Sequence, residues 1–252
     1  MYQVFNTADE VSHFAAKRIL DCIAASPDMA LGLATGSTQE SLYAQLVRLI
    51  RQRSIDVSKL TTFNLDEYIG LGEWHRQSYR YYMHEHLFKH LPLSRQRLHV
   101  PDGLADNPEK ACQAYSEAIR AAGGLDFQLL GIGSNGHIGF NEPYTPFSSR
   151  THTVALSDQT RLDNGRFFSA HSEVPTHAMT LGIQDILEAR EIMLLATGRH
   201  KADTMAQLYH GDANEALPAS ALKHHHNVTI VMDREAASGL PEHMQNANPR
   251  TR

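Results

Sequence analysis

Residues 127–143, reading FQLLGIGSNGHIGFNEP, narrow what this chain can fold into more than any other stretch. Phe127, Leu129, Leu130 and Ile132 make an apolar run whose length suits a buried strand. The run breaks at Gly131, Gly133 and Gly136, which can adopt backbone conformations that side chains forbid. An imidazole and a carboxylate, His137 and Glu142, follow directly. A strand ending in a glycine-rich turn is the pattern of a parallel α/β sheet, whose ligands bind beyond the carboxyl ends of its strands. Many tight loops are glycine-rich; the titrating pair beside this one is what points to chemistry.

The same unit recurs along the chain. Residues 8–25 read as a helix, with Val11, Phe14, Ala15, Ile19, Cys22 and Ile23 on one stripe. Residues 29–33 read as a strand, followed by Ala34-Thr35-Gly36-Ser37-Thr38 and a helix carrying Leu42, Leu46 and Ile50. Strand, hydroxyl-rich loop and helix form an anion-binding arrangement, because free N–H groups and the helix dipole face the loop. The same residues also suit a plain N-cap. Residues 60–65 form the next strand and end in Asp66-Glu67-Tyr68. Adjacent carboxylates on extended backbone point opposite ways, so only one would face a ligand, and both also suit a solvated loop.

Further on, the pattern predicts a helix over 77–90 with Tyr79, Tyr82, Leu87 and Phe88, and a short strand at 98–100. A helix starts at Asn107-Pro108 and stops at Gly123-Gly124. Residues 143–176 show weak periodicity, as a lid or an irregular excursion would. A helix over 178–189, a strand at 192–196, a helix opened by Gly198-Arg199-His200-Lys201 and a last strand at 228–232 complete the reading. The fold class is α/β: a Rossmann-like open, mostly parallel sheet with helices on both faces and a lid excursion. One domain covers 1–240, and 241–252 is a polar tail.

Composition sets bounds on function. The chain has 252 residues, 42% hydrophobic and 20% charged, enough for a substantial core. Its net charge of −5 and pI near 6.3 speak against nucleic-acid binding. No apolar run approaches the roughly 20 residues of a membrane span, and no leader pattern opens the chain, so a cytoplasmic location is expected. Cys22 and Cys112 suggest neither a disulfide framework nor a metal site. His224-His225-His226 reads as a surface turn, since no carboxylate or cysteine shares a ligand spacing with it.

The chain resembles the glucosamine-6-phosphate deaminase (glucosamine-6-phosphate isomerase, NagB) family from about residue 31 to 232. The resemblance is carried by residues 31–38 (LGLATGST), 62–68 (TFNLDEY), 131–143 (GIGSNGHIGFNEP), 149–151 (SRT) and 164–168 (NGRFF). It implies an aldose–ketose isomerisation coupled to deamination, turning glucosamine 6-phosphate and water into fructose 6-phosphate and ammonium. By resemblance, His137 opens the pyranose ring, oriented by a relay through Asn135 and Glu142. Asp66 carries the proton from C2 to C1. Some members hold Asp where this chain has Asn135; an amide cannot be negative beside the imidazole, so the relay's charge would rest on Glu142. The resemblance also implies phosphate binding by Thr35, Gly36, Ser37 and Thr38, with positive charge from Arg166 and Lys201. Without it, Lys201 would read as an exposed lysine at a helix start. No cofactor and no metal are implied, and the ligand is a small amino-sugar phosphate, with no nucleic acid and no membrane.

Three competing readings share this fold class. A deaminase of another amino-sugar phosphate, such as galactosamine 6-phosphate, would depart from the Phe-Asn-x-Asp-Glu-Tyr pattern kept here. A 6-phosphogluconolactonase would read differently after Gly136-His137. A sugar-phosphate sensor would carry a basic helix-turn-helix segment in front and would not need Asp66 and His137. Hexameric family members have an effector site for N-acetylglucosamine 6-phosphate that uses cations just after the Ser-Arg-Thr segment. Here those positions hold His152 and Val154, so a monomer or small homo-oligomer with hyperbolic kinetics is expected.

Overall fold

The computed structural model describes residues 1–165, 168 and 174–245. Arg166, Phe167, part of the expected lid and the end of the tail lie outside the described residues. Seven parallel strands form the main sheet: β1 (Tyr2–Phe5), β2 (Ala30–Leu33), β3 (Thr61–Asn64), β5 (Leu98–His99), β6 (Phe127–Leu130), β9 (Ile192–Ala196) and β10 (Val228–Asp233). Their order is β1-β10-β9-β6-β2-β3-β5. The strands at its centre are short and wholly buried, as apolar runs without alternation should be. The chain steps outward one way from β2 through β3 to β5, and the other way from β6 through β9 to β10. The loops after β2 and β6 therefore diverge at the sheet's middle, the crevice where such sheets bind ligands.

Helices surround this sheet. α1 (Ala8–Ala25) is capped by Thr7, packs on α2 (Ser37–Arg53) and touches β1 and β10. α4 (Pro108–Ala121) starts on the Asn107 cap and stops before Gly123 and Gly124, both left-handed, as the sequence predicts. Its Tyr115 hydroxyl donates to the carbonyls of Asn64 and His99, tying the helix to β3 and β5. Among the described residues, no helix is long and apolar enough to cross a membrane.

Three expectations are corrected. Residues 178–189 do not form one helix: β8 (His177–Thr180) comes first, and α6 (Ile183–Leu187) follows Gly182. β8 is the middle strand of a small antiparallel sheet, between β4 (Asp66–Tyr68) and β7 (His152–Ala155). Asp66-Glu67-Tyr68 is thus a strand, not a loop. The connection after Pro143 is also less irregular than its sequence suggests, since it holds β7 and α5 (Asp158–Gly165). These strands are three or four residues long and pair with partners distant in sequence, so local periodicity carries little trace of them.

Candidate active site

A cavity of about 1040 Å³ opens at the carboxyl edge of the main sheet, where the loops after β2, β3, β6 and β9 meet. It brings together Thr35, Gly36, Ser37, Thr38, Asp66, His137 and Lys201. Asn135 and Glu142 do not line it; they stand behind His137. Arg166 lies outside the described residues.

The loop after β2 is pinned from two sides. Tyr43 of α2 donates its hydroxyl to the Ala34 carbonyl at 2.5 Å, and Tyr82 of α3 (Tyr79–His86) donates to the Gly36 carbonyl at 2.8 Å. Gly36 is the N-cap of α2 and no side chain caps it, so the first N–H groups of that helix are left for a ligand. Across the crevice, Thr38 Oγ1 lies 3.2 Å from Thr197 Oγ1. The turn at Gly198 is held by the Asp233 carboxylate, which accepts its N–H at 3.0 and 3.1 Å, and from that turn Lys201 reaches the cavity. Sequence reading gives Tyr43 and Asp233 no role and Tyr82 only a place on a helix, because their contacts are long-range and their types are ordinary for core and loop.

The imidazole is oriented by a chain of hydrogen bonds. His137 Nδ1 lies 2.7 Å from Asn135 Oδ1, which also accepts the His137 backbone N–H at 3.2 Å. Asn135 Nδ2 donates to Glu142 Oε2 at 2.7 Å. A carboxylate can only accept, so the amide's orientation follows from the network, and its oxygen must face the ring. Nδ1 therefore carries the proton, which leaves the lone pair of the neutral ring on Nε2. Glu142 Oε1 accepts from Ser157 Oγ at 3.2 Å and from Thr160 Oγ1. These hydroxyls extend the relay into α5, a contribution absent from the sequence reading. The ring packs directly over Gly133, where a Cβ would lie 2.2 Å from His137 Cε1.

Asp66 and Glu67 part company, as alternation on a strand requires. Asp66 faces the cavity and Glu67 turns away. A Cβ on Gly139, two residues past His137, would lie 3.5 Å from Asp66 Oδ2, so the carboxylate stands against the His137 loop. Glu67 accepts the backbone N–H groups of Tyr68, Tyr79 and Arg80, each at 2.9 Å, and so supplies an anion to the first turn of α3. Burial, reinforced by the negative charge of Glu67, pushes Asp66 up to about 8. Burial also raises Glu67, to about 7, against the pull of its three N–H donors. A buried carboxyl that ionises near neutrality, opposite an oriented imidazole and beside an anion-binding turn, can move protons on a phosphorylated ligand.

A family profile described as glucosamine-6-phosphate isomerases/6-phosphogluconolactonase matches residues 5–231. The chain belongs to this family. The glucosamine-6-phosphate deaminase of Shouchella clausii (strain KSM-K16) is 49% identical over 91% of this family member and 93% of its own length. Glucosamine-6-phosphate deaminase 1 of Bacillus subtilis (strain 168) is 46% identical over 93% and 97%. The solved structure of a monomeric glucosamine-6-phosphate deaminase superposes with a TM-score of 0.93 at 45% identity, covering 94% of this chain and 99% of that one. The 6-phosphogluconolactonase of Trypanosoma cruzi shares the family fold at 21% identity, with a TM-score of 0.76 over 95% and 96% of the two chains.

Proposed function

We infer that the protein is a glucosamine-6-phosphate deaminase, which converts glucosamine 6-phosphate and water to fructose 6-phosphate and ammonium. The observation that carries the site assignment is the shared cavity, in which Asp66 and His137 sit together with the hydroxyl-rich first turn of α2. The phosphate lies on Thr35, Gly36, Ser37 and Thr38, with Lys201 adding charge. Arg166 adds a second cation, as the family resemblance implies.

The roles follow from proton bookkeeping. His137 Nε2 takes the anomeric hydroxyl proton while the C1–O5 bond breaks, and the imidazolium passes that proton to O5, which opens the ring and returns the imidazole to its neutral form. Asn135 and Glu142 hold the imidazole in the tautomer that can do this. Ionised Asp66 takes the proton from C2 as O1 takes one from the substrate's ammonium group, and Asp66 then returns its proton at C1, leaving an iminium at C2. Water adds there and ammonia departs as ammonium. The catalytic unit spans residues 1–240, works in the cytoplasm and acts as a monomer.

The test is release of ammonium from glucosamine 6-phosphate by the purified protein, alongside Asp66→Asn and His137→Gln. Asp66→Asn is expected to bind the sugar phosphate yet lose about 10²–10⁴-fold in turnover, as loss of a general base does. His137→Gln is expected to fail on the cyclic sugar more than on an open-chain substrate. A near-normal rate for Asp66→Asn would sink its assignment, and equal losses on both substrates would remove ring opening from His137.

A further inference from the structure

Gln39, the third residue of α2, is 1% exposed and lines the cavity. Its amide lies in the crevice between the loops after β2 and β6. A Cβ on Gly36 would lie 3.1 Å from Gln39 Oε1, and one on Gly131 would lie 3.1 Å from Gln39 Nε2. The two glycines thus leave a slot that the amide fills at the point where the sheet's loops diverge. Yet Nε2 is buried with no hydrogen-bond partner among the described residues. An unpaired buried amide destabilises the protein that carries it. A leucine or methionine would fill the slot without that cost.

We propose that Gln39 is a substrate-positioning residue whose amide hydrogen-bonds the phosphate group bound at the first turn of α2. The inference rests on the deaminase reading for its substrate, and on geometry for its site. Gln39 shares that turn with Ser37 and Thr38, and Oε1 is the atom on the Gly36 side. Turning the amide over brings its NH2 group to a phosphate seated on the turn's N–H groups and gives it the missing partner. The amide is neutral and adjusts its reach. It supplies a charge-assisted hydrogen bond without adding a further cation to the site. Its position against Gly131 couples phosphate occupancy to the loop that carries His137.

The experiment compares Gln39→Met and Gln39→Glu with the parent in three readouts: steady-state ammonium release, calorimetric binding of inorganic phosphate, and thermal unfolding. For Gln39→Met, KM is expected to rise about tenfold, the worth of one hydrogen bond to a charged group, with kcat within about threefold. The phosphate Kd should rise in parallel, and Tm should hold or increase. Gln39→Glu should bind phosphate more weakly than Gln39→Met, because it sets a carboxylate beside a dianion. Unchanged KM and phosphate Kd in Gln39→Met would overturn the proposal. So would a lowered Tm with kcat and KM degraded together, the signature of a purely structural amide. A parent protein that binds phosphate through Gln39 but releases no ammonium would refute the deaminase reading and leave this site standing.

Discussion

At the scale of single residues, the site is built from side chains held in states they would not choose in water. Asp66 ionises near 3.8 when unperturbed but near 8 in the fold. Between those values the native state binds a proton that the unfolded chain has lost, so this group's contribution to stability falls as pH rises from about 4 to 8. Asp66→Asn keeps the shape and removes the titration. It should therefore match the parent's Tm near pH 4 and exceed it by pH 8, by at least the ~2–4 °C that about 1 kcal/mol is worth at this size. Thermal scans across pH check this, and a gap that does not change with pH would contradict it. Tyr144 is a second strained residue, with φ of 73° and a side chain 76% exposed. The conformation costs a non-glycine residue about 1–2 kcal/mol, of which the freer unfolded chain of a glycine variant offsets about half. Tyr144→Gly should gain about 0.5–1 kcal/mol, and a denaturation midpoint at or below the parent's would refute this.

At the scale of elements, β4 and the β6 loop do two jobs each. Glu67 turns its back on the cavity and satisfies the start of α3, while its charge raises Asp66. Glu67→Gln cannot accept three N–H bonds, so it should lower stability by roughly 1–3 kcal/mol. It should also shift the acid limb of kcat/KM to lower pH, because Asp66 ionises more easily without a like charge beside it. An unmoved or raised limb in the pH–rate profile would show that Glu67 does not tune Asp66. In the β6 loop, the ring of His137 rests on the bare Cα of Gly133. Gly133→Ala should displace the imidazole and reduce kcat/KM by about 10²-fold, the cost of an ångström of misplacement. Alanine at parental activity would mean that the ring is not used where it stands.

At the scale of the molecule, the segment after the Ser-Arg-Thr motif bears on regulation. Arg150 is engaged by Asp185 at 2.9 Å and by Glu188 at 2.5 and 2.6 Å, so this cation is already paired. His152 and Val154 lie on β7, an edge strand of the small sheet. A second phosphate would meet little fixed positive charge there, and an effector acts only through differential affinity for two states. Rate curves should therefore be hyperbolic with and without N-acetylglucosamine 6-phosphate, and sedimentation should give a monomer or small homo-oligomer. A sigmoidal curve that the acetylated sugar phosphate straightens would contradict the first expectation, and a hexamer the second.

Sequence alone determined the main-sheet strands other than β1 (Tyr2–Phe5), which it did not anticipate, and most of the residues gathered in the cavity. Buried parallel strands are continuous apolar runs, and their carboxyl-end loops need glycine and hydroxyl residues in adjacent positions, so both leave local traces. It also determined that Asp66 and Glu67 face opposite ways, because strand alternation is local. Only the tertiary structure decided the small β4-β8-β7 sheet, which splits the helix expected at 178–189. It also placed Tyr43 and Tyr82 on the carbonyls of the β2 loop, Ser157 and Thr160 on Glu142, and the Gln39 amide between Gly36 and Gly131. Each of these joins residues through a hydrogen bond or a close approach between segments far apart in the chain. Such contacts depend on how the strands are ordered, and periodicity within one segment does not encode that order.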